Sequence, residues 1–139
     1  MHAIVFKGLD PARPGFYKKN QKKSSYLDIS DASFVDVLHC NGGQLGTKLA
    51  VAHADFFPDG GITQEGCSFL PVFDQVCNHL QCVIYFTNSI GSESKQLYKA
   101  YNCDDWESFT QGLCDCEDPE NTAYMGEACD TRLNLLNRK

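Results

Sequence analysis

Short apolar runs separated by polar, glycine-rich segments dominate the first two-thirds of this chain. Three runs, at residues 2–6, 33–39 and 51–57, contain β-branched and aromatic residues without helical spacing, which predicts β-strands. The turn signals that follow them are Gly8, residues 41–43 and residues 58–61. Polar residues 17–26 predict a loop, and residues 28–32 predict a turn or a short helical cap.

Beyond residue 79 the pattern changes to helical spacing. Leu80, Val83, Ile84 and Phe86 recur at intervals of about three or four and predict a helix over residues 80–89. Residues 98–101 predict a last strand. We therefore divide one domain into a sheet and helix part, residues 1–102, and a cysteine-rich tail, residues 103–139, which we expect its bridges to hold better than packing does. Three or four strands and one helix are too few for a complete doubly wound α/β sheet, and suit the second half of one.

Composition and charge exclude several classes of function. The 139 residues are 42% hydrophobic, enough for the core of one small domain. A net charge of −6 argues against nucleic acid or anionic membranes as partners. The cluster Lys18, Lys19, Lys22 and Lys23 is interpreted as a solvated loop. No apolar run has the length of a transmembrane segment.

Eight cysteines in 139 residues predict a disulfide framework and an extracellular, oxidising location. Zinc is the competing explanation. Cys114 and Cys116 are too close together for the usual zinc-ligand pair, however, and no histidine pair follows them. The short apolar run at residues 3–6 does not form a signal-peptide core. We therefore expect that an N-terminal part is missing.

Two segments carry a family resemblance: GLDPARPGF at residues 8–16 and CNH at residues 77–79. Both resemble the pancreatic-lipase family, which includes insect lipases and venom phospholipases, and the resemblance covers about residues 8–126. It implies an α/β-hydrolase fold with a triad in the order Ser, acid, His. In this pattern Asp10 is the catalytic acid and His79 the general base. We therefore expect their side chains to lie within about 4–5 Å of each other.

The nucleophile of such a triad has no counterpart in this sequence. No G-x-S-x-G segment occurs in the 139 residues. We therefore expect a partial α/β-hydrolase fold that begins after the nucleophile and is inactive alone. Segments FVDVLH (34–39) and HADFFPDGG (53–61) also resemble the family. Their histidines, His39 and His53, lie on or beside predicted strands and are expected to be structural.

A calcium site is implied by residues 27–32, LDISDA, which resemble a segment of pancreatic lipases that holds a structural calcium ion. Its ligands here would be the carboxylates of Asp28 and Asp31 and the backbone carbonyls of about Lys23 and Tyr26. The alternative, that the two aspartates only cap a turn, stays open. No catalytic cofactor is expected.

The resemblance also implies disulfide pairs. Cys67–Cys77 would close a lid of nine residues, and Cys103–Cys114 the next loop; Cys116–Cys129 is then expected as the third bridge. Cys40 and Cys82 match no cysteine that we can place in the family, and are either paired or free. A lid this short would leave a cleft open, which favours phospholipid or small-ester substrates over interfacial triglyceride hydrolysis.

Three hypotheses of function follow from the sequence. The first is a secreted serine esterase acting on lipid acyl esters, either triglycerides or sn-1 phospholipids, with the oligomeric state open. The second is a non-catalytic lipid-binding or storage homologue, similar to fly yolk proteins. The third is a shortened paralogue without stable function. The presence of both Asp10 and His79 favours the first over the second.

Overall fold

The computed structural model describes residues 4–16, 25–67, 71–91 and 98–129. In chain order its regular elements are strand β1 (Val5–Leu9), strand β2 (Phe34–Leu38), strand β3 (Ala54–Phe56), helix α1 (Pro71–Ser89), strand β4 (Lys99–Tyr101), helix α2 (Trp106–Thr110) and strand β5 (Thr122–Tyr124). Short 3₁₀ turns lie at Ile29–Asp31, Pro58–Gly61 and Pro119–Asn121.

The larger sheet is parallel and has the order β1-β2-β3. Leu38 at the end of β2 pairs with Leu9 on one side and with Phe56 on the other. All five residues of β2 are buried, as expected for the central strand of a parallel sheet covered on both faces. The carboxyl ends of the three strands therefore meet at one edge, where residues 10, 39 and 57 follow them.

The strand predictions were right in kind and differ in their bounds. β2, β3 and β4 lie within the predicted segments. β1 occupies Val5–Leu9 instead of residues 2–6. Of the predicted strand, residues 2 and 3 lie outside the described part. Gly8 does not end this strand but pairs with Val37 in it, and a β-carbon at Gly8 would lie 2.9 Å from a side-chain carbon of Val37. The shift places Asp10 directly after β1.

Helix α1 begins at Pro71, nine residues before the predicted start. Proline is favoured in the first turn of a helix because its missing N–H is not needed there. The apolar positions that predicted the helix do not face the core. Leu80, Val83 and Ile84 are about half exposed, whereas Asn78 and Cys82 are buried. The helix therefore turns small and polar residues toward the sheet.

Part of the predicted tail packs into the core. β5 pairs with β4 in a two-stranded antiparallel sheet, with Ala100 opposite Ala123. Ala123 and Met125 belong to the same buried cluster as Phe34, Leu38 and Phe56. Residues 122–125 are thus held by backbone pairing and apolar contacts, and packing has a larger part in this stretch of the tail than we expected.

One buried ion pair ties the tail to the sheet. The ammonium group of Lys7 donates to Asp36 Oδ2 at 2.7 Å and to the carbonyl oxygen of Gly126 at 3.0 Å. Asp36 lies on β2 and is completely buried. Burial raises the pKa of its carboxyl group above 3.8, because desolvation outweighs the opposing effect of the Lys7 bond and charge.

This raised pKa predicts a pH dependence of stability. Above pH 3.8 the folded chain binds more protons at Asp36 than the unfolded chain does, so this residue's contribution to the free energy of unfolding falls as pH rises through the folded pKa. Asp36→Asn removes the titrating group. Its stability relative to the wild type should therefore rise between about pH 4 and pH 7, as measured by urea denaturation.

The same substitution at the exposed Asp104 is the matched control, and it should show no such rise. A stability difference for Asp36→Asn that is constant over this pH range, or that falls, would show that burial does not dominate the titration of Asp36.

Candidate active site

Asp10 ends β1 with its backbone in the left-handed region, at φ 49°. Aspartate is among the few residues other than glycine that adopt this conformation with some frequency. Its backbone N–H donates to the carbonyl oxygen of Leu38 at 2.7 Å, which continues the pairing of β1 with β2. The side chain is 1% exposed. The residue after the strand therefore places a carboxylate inside the protein.

Two backbone donors meet this carboxylate. The N–H groups of Cys40 and Asn41 donate to Asp10 Oδ1 at 2.9 and 3.0 Å. A buried carboxylate is costly unless its oxygens are hydrogen-bonded. Donors to an ionised acceptor form the stronger class of hydrogen bond. The residues that follow β2 thus hold the acid at the end of β1.

The imidazole of His79 meets the other oxygen of the same carboxylate. His79 Nδ1 lies 2.5 Å from Asp10 Oδ2, although the two residues are 69 positions apart. The expectation that they lie within hydrogen-bond reach is confirmed. An ionised carboxylate can only accept, so the proton of this bond belongs to Nδ1.

The second nitrogen of His79 is left available for chemistry. With Nδ1 protonated, a neutral ring carries a lone pair on Nε2. No described residue forms a hydrogen bond with Nε2, and the side chain is 33% exposed. The arrangement is a buried acid, an imidazole that this acid orients, and a second ring nitrogen that forms no hydrogen bond with a described residue. It is the geometry that a general base requires.

Gly46 makes room for the acid. A β-carbon at this position would lie 2.1 Å from Asp10 Oδ1 and 2.5 Å from its Cγ. The loop is fixed by bonds from Gly46 N–H to the Asn41 carbonyl (3.0 Å) and from Thr47 N–H to the Pro11 carbonyl (2.9 Å). Sequence reasoning missed this glycine, because nothing along the chain signals that residues 10 and 46 touch.

Three disulfide bonds are present among the described residues. Cys67–Cys77 and Cys103–Cys114 confirm the expected pairs, and Cys40–Cys82 settles the pair that the sequence left open.

The expected Cys116–Cys129 bridge was wrong. Cys116 lies exposed on the surface, whereas Cys129 is buried at the end of the segment that packs beneath the sheet and is not joined to Cys116. The Cys129 side chain contacts the buried carboxylate of Asp36 instead.

The segment expected to form a nine-residue lid is largely helical. Residues 71–76, between Cys67 and Cys77, form the first turns of α1, and residues 68–70 lie outside the described part. The predicted helix over residues 80–89 placed His79 just before its start, whereas His79 lies inside α1, after about two turns of it.

The other two described histidines sit apart from Asp10 and His79 and form internal contacts. His39 is buried, with Nε2 2.8 Å from Asp55 Oδ1 and Nδ1 3.0 Å from the Thr47 carbonyl oxygen. His53 Nδ1 accepts from the N–H of Val35 at 2.9 Å. These contacts tie β2 and the residue after it to β3 and to the segment that precedes β3. They account for both residues by structural roles.

The expected calcium ligands are described only in part. Asp28 and Asp31 form a reciprocal cap of the Ile29–Asp31 turn: Asp28 Oδ1 accepts from Ser30 N–H at 2.7 Å, and Asp31 Oδ2 accepts from Asp28 N–H at 2.9 Å. Lys23 lies outside the described residues. The described residues contain no group of three acidic, histidine or cysteine side chains that could hold a metal. Calcium binds oxygen ligands, carboxylates among them, so the carboxylates of Asp28 and Asp31 are of a ligand type that calcium uses.

A parallel sheet in which the acid after β1 is hydrogen-bonded to a histidine of α1 is compatible with part of an α/β-hydrolase-like fold. The chain belongs to the lipase family, whose family model matches residues 5–135. It is 37% identical to hepatic triacylglycerol lipase of Oryctolagus cuniculus over 125 residues, covering 77% of this chain and 24% of that protein.

Two other relatives extend the comparison. Lipase member H of Rattus norvegicus is 36% identical over 111 residues, which covers 77% of this chain and 24% of that protein. Pancreatic lipase-related protein 3 of Homo sapiens is 34% identical over 155 residues, which covers 95% of this chain and 32% of that protein. The chain thus spans about a quarter to a third of the length of these relatives. None of its described helices is long and apolar enough to cross a membrane.

The contact at Gly46 predicts that Gly46→Ala destabilises the fold and displaces the acid. Gly66→Ala is the control, since Gly66 has a φ of +85° but open space around a new β-carbon. The control carries only the strain of a left-handed alanine, about 1–2 kcal/mol. Gly46→Ala should cost more, because backbone or carboxylate must move. Urea denaturation of both variants gives the comparison, and an equal or smaller loss for Gly46→Ala would contradict the described packing.

Proposed function

We propose that this chain supplies the acid and the base of a Ser-His-Asp triad that hydrolyses lipid acyl esters. The observation that carries the proposal is the Asp10–His79 hydrogen bond. The Nε2 atom of the same His79 ring forms no hydrogen bond with a described residue. His79 and Asp10 are 69 positions apart, so their contact is a product of the tertiary fold and not of local chain geometry. Membership of the lipase family supports the same reaction.

The proposed chemistry follows from the two protonation sites of His79. Its Nε2 takes the proton of a serine hydroxyl as that oxygen attacks the ester carbonyl, and returns it to the departing alcohol. Asp10 keeps Nδ1 protonated and stabilises the imidazolium that forms. Water then repeats the cycle on the acyl-enzyme and releases a fatty acid. No cofactor takes part in these steps.

The serine and the donors to the oxyanion would come from outside these 139 residues. The chain contains no G-x-S-x-G segment, and it matches a quarter to a third of its relatives. We propose that it corresponds to the second half of an α/β-hydrolase sheet, with β1 at the boundary. On this proposal the chain alone does not hydrolyse esters.

Lipid esters are the proposed substrate class. Two relatives are named for triacylglycerol hydrolysis, and the short Cys67–Cys77 connection, with a sequence separation of 10, favours phospholipid or small esters. The three disulfides favour an extracellular location.

A structural calcium ion bound by Asp28, Asp31 and the carbonyls of Lys23 and Tyr26 is part of the same proposal. No catalytic step depends on it.

The direct test is a chimera that joins this chain to the preceding part of a hepatic triacylglycerol lipase, which provides the serine segment. We expect this chimera to hydrolyse a nitrophenyl ester and the isolated chain not to. In the chimera, Asp10→Asn should lower kcat by about 10⁴-fold, the scale found when a triad acid is neutralised, and His79→Ala should abolish turnover.

His53→Gln is the matched control, because His53 lies apart from Asp10 and an amide oxygen can still accept from the Val35 N–H. Its turnover should stay close to that of the unsubstituted chimera. Two results would refute the proposed roles. One is turnover by the isolated chain that disappears in His79→Ala; the other is a chimera whose kcat does not change in Asp10→Asn.

A second candidate function, lipid binding without hydrolysis, is favoured by one separate feature. A largely apolar cavity of about 820 Å³ lies between β3 and the β4–β5 sheet, and neither Asp10 nor His79 lines it. Its apolar lining includes Phe56, Phe57, Tyr98, Trp106, Phe109 and Met125. The volume falls in the range of small-molecule sites, about 300–1,000 Å³.

Trp106 is the single tryptophan of the chain and reports on this cavity directly. If the cavity binds lipid, a short-chain phosphatidylcholine below its micellar concentration should shift Trp106 emission to the blue and reach saturation. Ala100→Phe, which fills the cavity, should abolish the shift, while Ile90→Phe, at an exposed position outside it, should not. An unsaturable change, or one that Ala100→Phe leaves intact, would argue against this function.

A further inference from the structure

Cys40 makes three different contacts next to the acid. Its N–H donates to Asp10 Oδ1 at 2.9 Å. Its carbonyl oxygen accepts from Gln64 Nε2 at 3.0 Å. Its sulfur is bonded to Cys82 of helix α1. Since Cys40 is completely buried, all three contacts lie inside the protein, where Cys40 connects the acid to Gln64 and to helix α1.

Cys82 lies on the helix that carries the base. It follows His79 by three residues, so the two side chains are neighbours on the helix surface, one turn apart. Cys82 is also completely buried, and its Cα lies 5.8 Å from that of Cys40. A closed ring of contacts results: Asp10 to Cys40, Cys40 to Cys82, and His79 back to Asp10. The disulfide is the covalent member of this ring.

Gln64 provides a second connection between the same two parts. Its Nε2 donates to the carbonyl oxygens of Cys40 and Pro58, both at 3.0 Å. Two carbonyl acceptors fix which way this amide points, because only its nitrogen can donate. The Gln64 N–H donates to Asn78 Oδ1 at 2.5 Å, and Asn78 directly precedes His79. Gln64 is 1% exposed, so it joins the acid's support to the base's helix inside the protein.

We propose that the Cys40–Cys82 disulfide, with Gln64, is a positioning device for the Asp10–His79 pair. It fixes helix α1 against the end of β2, so that Nδ1 stays on the carboxylate while Nε2 stays at the surface. Its relevance to catalysis rests on the proposed function, for which a misplacement of about 1 Å can cost about 100-fold in rate. Its effect on the hydrogen bond does not depend on that function.

The test follows the His79 Nδ1–H proton by NMR in the whole chain, labelled with ¹⁵N on histidine. A histidine proton held by a buried carboxylate gives a low-field signal protected from exchange with solvent. We expect this signal in the wild type, and its loss in Asp10→Asn. We expect its loss also in the double variant Cys40→Ala/Cys82→Ala, with far-UV circular dichroism and a cooperative thermal transition retained.

The matched control is Cys103→Ala/Cys114→Ala, which removes a disulfide from a loop outside the ring of contacts. It should lower the melting temperature and leave the His79 signal in place. If both double variants keep the signal, or both lose it equally, the disulfide has no special positioning role and the proposal fails. If the wild type itself lacks the signal, the pair is not formed, and the proposed function fails with it.

Gln64→Met decides the matter if the Cys40→Ala/Cys82→Ala variant does not fold. Methionine keeps the approximate volume of glutamine and removes both donors to the Cys40 and Pro58 carbonyls. Faster solvent exchange of the His79 proton in Gln64→Met, with the fold kept, supports the proposal. An unchanged exchange rate in Gln64→Met would overturn it.

Discussion

The structure depends on the burial of one carboxylate, that of Asp10. A carboxylate without access to water is stable in a protein only if donors surround it, and the three donors here come from two separate parts of the chain. Cys40 and Asn41 follow β2, and His79 lies on α1. Strand β1, the loop after β2 and helix α1 therefore all meet at this acid. The parallel sheet places the ends of β1 and β2 at the same edge.

This requirement explains features of the sequence that have no local cause. Asp10 adopts a left-handed backbone because the chain must turn its side chain inward at the end of β1. Gly46 is present because any β-carbon would occupy the space of the carboxylate. Cys82 is buried on α1, where its bond to Cys40 joins the helix to the loop whose N–H groups hold the acid. Local propensity accounts for none of these choices, whereas the geometry of a single site accounts for all of them.

Sequence reasoning found the parts of the site that leave a local pattern. The apolar runs located β2, β3 and β4, and the resemblance of two short motifs to the lipase family pointed to Asp10 and His79. It failed where contacts are long-range. The spacing of Leu80, Val83 and Ile84 predicted a helix but its apolar face lies outward, so period alone did not give its start or its orientation. The Cys40–Cys82 pair joins residues 42 apart, and connectivity of this kind is not encoded in spacing.

The tautomer of His79 tests the account most directly. The ¹⁵N chemical shifts of its imidazole distinguish a protonated ring nitrogen from one with a free lone pair. At a pH where the ring is neutral, the account predicts a protonated Nδ1, held by Asp10, and an unprotonated Nε2 available as a base. A neutral ring protonated on Nε2 would contradict it, because the nitrogen facing Asp10 would then have no proton to donate and the surface nitrogen no lone pair to accept one.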